Sequence, residues 1–258
     1  MTDQTYYANG FDESISQTHS WRTAENCAEY MLKYVKHNYK ILDVGSGPGT
    51  ITKSFAKYIP DGYIIGIEPT AELIEEASKD PNLPYNVRFE KASVFNLPYS
   101  DNSFDIVHAH QVIVHLSDPL KALNEMTRVL KPGGLLCIKD AEMDSTTVFP
   151  KKFEPQLLYF MNLMRSKFTS SVGASRQKSL ILQTSLLDIV RHTASSWCIS
   201  EDKERLLFAN MFIKRLEASK VNYISFTREK ITQAWIDWSQ DESAVFFILN
   251  GEIIAKKI

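Results

Sequence analysis

The sequence predicts an α/β fold: a doubly wound, mainly parallel sheet with antiparallel C-terminal strands and a helical elaboration. Three observations carry that expectation. Short apolar runs alternate with helical patterns up to Asp140, and a glycine-rich turn joins the first strand pattern to the first helix pattern. Residues 141–248 then change to long helical segments in which Gly173 is the single glycine. Alternation of this kind builds βαβ units, whose parallel strands are covered by helices on both faces.

In order, the strand patterns are YKILDV (39–44), YIIGIE (63–68), VRFEKA (87–92), FDIVHAHQV (104–112) and LLCIKD (135–140). ILDV and YIIGI are apolar almost throughout, as strands buried on two sides should be. Between them lie the helical patterns ITKSFAKYI (51–59), AELIEEASK (71–79) and PLKALNEMTRVL (119–130). Beyond Asp140, PQLLYFMNLMRSKF (155–168), KSLILQTSLLDIVRHT (178–193) and EDKERLLFANMFIKRLEASK (201–220) read as helices, and SSWCIS (195–200) as a short strand. In the closing segment AVFFILNGEIIAKKI, Asn250-Gly251 separates two apolar runs and signals a hairpin or sharp bend.

A length of 258 residues is about 1.7 times a typical domain of roughly 150 residues. With no repeat or low-complexity linker, a single domain over 1–258 is expected. It would comprise an N-terminal helical lid (1–35), a ligand-binding core (about 36–140), a helical elaboration (about 150–240) and closing strands (244–257). The chain is 44% hydrophobic and 23% charged, which is globular composition and far from the disordered regime. A net charge of -2 supplies no broad cationic field, so nucleic acid is not the expected partner. Cys27, Cys137 and Cys198 are too scattered for a disulfide framework or a paired zinc site. The N-terminus lacks the pattern of a signal or transit peptide, and no apolar run is long enough to span a bilayer. A soluble cytoplasmic protein, or one also present in the nucleus, is expected.

The turn Gly45-Ser46-Gly47-Pro48-Gly49-Thr50 follows Asp43-Val44 and precedes a helix. Glycine there lets the chain turn tightly and brings backbone close to a ligand at the carboxyl end of a parallel strand. The third glycine falls one place early for the dinucleotide fingerprint, and this argues against NAD. Glu68 ends the next strand, where a carboxylate can accept hydrogen bonds from both hydroxyls of a ribose.

LDVGSGPGT, GIEPT, LPYSDNSFDIV and LNEMTRVLKPGG, in that order and spacing, resemble the class I S-adenosylmethionine-dependent methyltransferases. Within that class the similarity is to the group containing the ubiquinone/menaquinone C-methyltransferases. The resemblance implies that Gly45, Ser46, Gly47 and Gly49 pack against the methionine part of S-adenosyl-L-methionine, with Asp43 orienting its amino group. It also implies that Glu68 and Pro69 flank the ribose and that Ser93 and Val94 meet the adenine. Ser93 departs from the acid that many relatives carry, so the adenine would be read by a hydroxyl or by the backbone of Val94. His110 and Gln111 would lie beside the sulfonium and the acceptor. Arg22 either pairs with the methionine carboxylate or sits on a solvated helix start.

Methyl transfer is an in-line displacement that chiefly requires alignment. His110 and His115 are the candidate bases near the transfer point, with His19 a third if the N-terminal segment folds over it; each can equally be structural. His108, His110 and His115 lack a Cys or carboxylate partner at ligand spacing, so no metal is expected. Tyr6, Tyr7 and Phe11 form either a lid or docked core. Asn96-Leu97-Pro98-Tyr99 mimics an amino-group methyltransferase signature, but it precedes the fourth strand pattern, whereas the true signature follows it.

Phe160, Met164, Trp197, Phe208, Phe212, Trp235 and Trp238 are candidates for the roof of an apolar acceptor pocket. Aromatic and Met residues at helical spacing are more often plain core. The expected activity is methylation of a small organic molecule. The alternatives are a protein or RNA methyltransferase and a subunit that binds the cofactor without catalysis.

Overall fold

The computed structural model describes residues 21–165, 173–219 and 223–258, arranged around one seven-stranded sheet. In chain order its strands are β1 (Lys40–Val44), β2 (Tyr63–Glu68), β3 (Val87–Lys91), β4 (Phe104–His110), β5 (Leu130–Phe149), β6 (Leu187–Ile199) and β7 (Val245–Lys257). They lie side by side as β3-β2-β1-β4-β5-β7-β6. The first five run parallel, whereas β7 enters antiparallel between β5 and β6. Strand order reverses between β1 and β4, and a crevice opens beyond their carboxyl ends at such a switch point.

The helices are α1 (Ala24–Cys27), α2 (Glu29–Leu32), α3 (Thr50–Phe55), α4 (Ala71–Ser78), α5 (Pro119–Val129), α6 (Glu154–Arg165), α7 (Gly173–Gln183), α8 (Asp202–Ala218) and α9 (Arg228–Gln240). Local chemistry sets their starts. Asp118 caps α5 by accepting from the Lys121 N–H, with Pro119 in the first turn, where its missing N–H costs nothing. Thr227 caps α9 in the same way through the Lys230 N–H.

One core layer packs β1, β4 and β5 against α5 through Leu42, Val107, Leu123, Met126 and Ile138. The opposite layer joins α1 and α2 to α3 through Ala24, Met31, Phe55 and Ile59. A third, aromatic cluster holds α6, α8 and α9 on the extended parts of β5 and β7. Its centre is the stacked pair Phe212–Trp235, with ring centroids 4.5 Å apart.

Two local expectations fail. The single helix expected over 178–193 breaks: α7 ends at Gln183, Ser185 adopts a left-handed φ of 55°, and β6 begins at Leu187. From Leu187 onward the β-branched pair Ile189-Val190 and the period-two exposure favour the strand, and the SSWCIS pattern is only its end. Asn250-Gly251 is not a bend either, because β7 runs straight through it from Val245 to Lys257. Asn250 is buried, donates to the Ile248 carbonyl and accepts from Gln111 Nε2. A Cβ on Gly251 would come within 2.7 Å of Ala174 Cβ, so this glycine admits α7 rather than a turn.

Among the described residues no helix is long and apolar enough to cross a membrane. Tyr6, Tyr7, Phe11 and His19, and with them most of the expected N-terminal lid, lie outside the described residues.

Candidate functional site

A cleft opens at the carboxyl ends of the parallel strands, and two structurally different halves line it. The first is built by the turn after β1. Gly45 and Ser46 both donate their backbone N–H groups to the Ile67 carbonyl, at 2.8 and 2.9 Å, which locks the turn beside the end of β2. Gly45 and Gly47 have positive φ of 70° and 54°. A Cβ on Gly45 would sit 2.6 Å from Val112, so glycine is needed there for the turn after β4 to close in; a Cβ on Gly47 would meet nothing within 4 Å. Gly47 thus leaves open space inside the cleft.

Glu68 is buried at the end of β2 and accepts from the Thr70 N–H at 3.2 Å. Burial raises its pKa, while the contacts from Thr70 and Gly47 hold it down. Ser46 contributes a buried hydroxyl that has no hydrogen-bond partner. A carboxylate, an open glycine face and an unused hydroxyl, all within one cleft lining, suit a ligand rich in hydroxyl and amino groups.

Asp43 reaches the lining, but its oxygens are engaged. One accepts from Thr52 Oγ1 at 2.5 Å, and the other lies 2.7 Å from His108 Nδ1. This buried trio ties β1 to α3 and β4. His108 also packs edge-on against Phe55 at 5.3 Å, which leaves it a structural pillar under the turn.

Of the other sequence candidates, Arg22, Pro69, Val94, His110, Gln111 and His115 all line the cleft. Two do not. Gly49 sits at the start of α3 with a φ of 79°, and its face is turned to Phe89, which a Cβ would meet at 2.3 Å. Ser93 turns its hydroxyl to the Phe95 N–H at 3.1 Å, in a short turn closed by a bridge to Asn96, while Ala92 and Val94 face the cleft. Among the described residues no group of three or more His, Cys, Asp or Glu could hold a metal ion.

The second half is made of side chains from distant segments. Met143 comes from β5, Met161 from α6, Trp197 from β6, Ile248 from β7, and Phe208, Met211, Phe212 and Arg215 from α8. Trp197 links the halves: the Arg22 guanidinium lies 5.1 Å from its ring centre, Trp21 packs edge-on at 5.1 Å, and the His110 ring lies at 5.7 Å. Phe160, Trp235 and Trp238 are fully buried in the aromatic cluster instead of lining the cleft, and the side chain of Met164 lies outside the described residues.

His115 closes a short 3-10 turn (Ile113–His115) between the halves. Burial, then the charges of Arg215 and Arg22, push its pKa down to about 4, so the imidazole is neutral near neutral pH. Beneath this turn lies Asp140, fully buried at the end of the parallel part of β5. Burial drives its pKa up to about 8 against the pull of the Val114, Ile113 and Val112 amides.

Met143, Met161, Met211, Arg215 and Ile248 went unpredicted. The spacing 208, 211, 212, 215 placed four of the lining residues on one face of a helix, but nothing local said that this face would turn to the cleft.

Similarity to known proteins agrees with this geometry. The model of a family described as a methyltransferase domain matches residues 35–190. A protein of Schizosaccharomyces pombe named as an uncharacterized methyltransferase is 41% identical over 99% of this chain and 98% of its own length. The ubiquinone/menaquinone biosynthesis C-methyltransferase UbiE of Bdellovibrio bacteriovorus is 34% identical over 53% of this chain and 57% of its own. The crystal structure of YcgJ from Bacillus subtilis superposes with a TM-score of 0.59 at 20% identity, covering 90% of this chain and 98% of that one. With the strand order and the glycine turn already in place, the chain belongs to the methyltransferase-domain family, of the S-adenosylmethionine-dependent class.

Proposed function

We propose that the chain binds S-adenosyl-L-methionine in the half of the cleft formed by the β1 turn and Glu68, and methylates a small organic molecule held in the other half. The observation that carries this reading is the continuity of the cleft. One lining runs from Glu68 and Gly47, past His110 and Gln111, to the apolar side chains of α8. A donor and an acceptor held in such a space meet without solvent between them, which converts a bimolecular step into a unimolecular one.

When bound, the cofactor would supply an electrophilic sulfonium methyl for in-line displacement by the acceptor's nucleophilic atom. Glu68 accepts the ribose hydroxyls, the open face of Gly47 gives backbone access, and Ser46 offers its hydroxyl to the amino-acid part. Arg22 pairs with the methionine carboxylate by its planar fork. Gln111 is fixed by its side-chain bond to Asn250 at 2.9 Å and by a left-handed backbone, so it positions rather than moves. His115, neutral near pH 7, accepts a hydrogen bond from the acceptor's O–H or N–H. A group with a pKa of about 4 is a weak base, and alignment is therefore asked to do most of the work.

Calorimetric titration of the purified chain with S-adenosylmethionine should show one saturable site. Feeding labelled methionine to cells with and without the protein should then change a small-molecule pool. Absence of binding would remove the cofactor assignment, and label that moves only in protein or RNA would remove the acceptor class.

A further inference from the structure

Gln111 follows β4 directly and is held at three points. Its backbone takes a left-handed φ of 58°, a conformation that costs energy for a residue with a side chain and persists only where the surroundings enforce it. Its N–H donates to the Lys139 carbonyl at 2.8 Å, and its Nε2 donates to Asn250 Oδ1 at 2.9 Å. Asn250 is itself buried in β7, where its Nδ2 donates to the Ile248 carbonyl at 3.0 Å. That last bond sets the sense of both amides. A backbone carbonyl can only accept, so Asn250 turns its NH2 to Ile248 and its oxygen to Gln111. Gln111 must meet that oxygen with its own NH2, which leaves its Oε1 on the other branch of the amide. Gln111 lines the cleft where the two halves join, and among the described residues no hydrogen bond ends on this oxygen.

We propose that Gln111 Oε1 accepts a hydrogen bond from an O–H or N–H of the methyl acceptor, so that the acceptor is an apolar molecule bearing a hydrogen-bond donor. Asn250 is the positioning residue that keeps this oxygen, and not the amide NH2, turned to the cleft. This rests on the reading of the other half as an acceptor pocket. Its apolar side chains, among them Met143, Met161, Phe208 and Met211, are weak acceptors at best, so a donor buried against them without Gln111 would lose free energy. An amide oxygen is neutral at every working pH and too weak a base to keep a proton, and Gln111 therefore aligns the acceptor without deprotonating it. A molecule that offers a carbonyl or ether oxygen at the same point is rejected, because oxygen would face oxygen.

The test uses the full chain saturated with S-adenosylhomocysteine, and two probes of nearly equal shape, 4-ethylphenol and 4-ethyltoluene. With no partner for the hydroxyl, the more apolar toluene would bind better. Calorimetry should instead show the phenol binding about five-fold or more tighter, since one probe satisfies the amide oxygen and the other leaves it bare. In Gln111→Met the preference should disappear or reverse, and in Asn250→Ala, where the Gln111 amide is free to turn, it should shrink to about two-fold or less. S-adenosylhomocysteine affinity should be kept in both. A wild-type chain that binds the toluene as tightly as the phenol overturns the proposal even if both variants fail to fold. So does a preference that survives in either variant, or loss of S-adenosylhomocysteine binding in a folded Gln111→Met, which would assign the amide to the cofactor. A wild-type chain that binds S-adenosylhomocysteine and neither probe removes the acceptor-pocket reading beneath the proposal, and one that binds no S-adenosylhomocysteine removes the methyltransferase reading itself.

Discussion

The two halves of the cleft are built by opposite strategies. The half under the β1 turn is made of backbone at strand ends, locked by the double bond to the Ile67 carbonyl and set on the buried Asp43–His108–Thr52 trio. The half under α8 is made of side chains drawn from β5, α6, β6, β7 and α8. A backbone turn presents the same groups whatever side chains surround it, which suits an invariant cofactor. A wall of methionines and aromatics is adaptable and changes with each substitution, which suits a variable acceptor. Under the proposed assignment, the cofactor would be held by hydrogen-bonded backbone and the acceptor by packed side chains.

The turn between the halves gives the largest expected effect. Asp140 has its pKa raised above the unfolded value, so its contribution to stability is complete below about pH 4 and is lost as pH rises through about 8. The shift corresponds to a loss on the order of 5 kcal/mol across that window. Asp140→Asn should match the wild type near pH 4 and be clearly more stable near pH 8 in chemical denaturation. Parallel pH curves for the two proteins would mean that the buried carboxyl does not carry this pH dependence.

The glycines sharpen the comparison within the cofactor half. Gly49→Ala forces a Cβ into Phe89 at a positive φ and should cost roughly 2–5 kcal/mol of stability. Gly47→Ala meets no protein atom, so it should cost only about 1–2 kcal/mol of backbone strain while its methyl invades the ligand space. Melting curves beside S-adenosylmethionine titrations should therefore give one fold-damaged variant and one binding-damaged variant. Identical behaviour of the two would erase the distinction between a glycine that faces the fold and one that faces the ligand.

Glu68→Ala should weaken S-adenosylmethionine binding by about 1–3 kcal/mol, or about five- to 150-fold, through hydrogen bonds left unmade. Titration of the variant with both S-adenosylmethionine and an apolar acceptor-side probe should show the loss on the cofactor side alone.

A further pH effect concerns His115. Its pKa is lowered, so its contribution is present above about pH 6.5 and is lost as pH falls towards about 4, by about 3 kcal/mol. His115→Gln should flatten that acid limb, and an unchanged limb would assign it to other groups.

By itself the sequence determined the parallel sheet, the glycine turn at its first strand and the carboxylate at its second, because these follow from local rules. Buried parallel strands need apolar runs, a tight strand-to-helix turn needs glycine, and chain order places Glu68 at the next strand end. Tertiary structure alone decided what those rules leave open. It turned Gly49 and Ser93 away from the cleft, because Phe89 and the Phe95 amide lie behind them. It drew Asn250-Gly251 into a straight strand, because Gln111 and α7 close in from outside. It also set the α8 face over the cleft, joining Arg215 to residues more than 60 positions away, such as Met143. Contacts over such separations depend on how layers pack, and a helix pattern records that a face is apolar without recording what it meets.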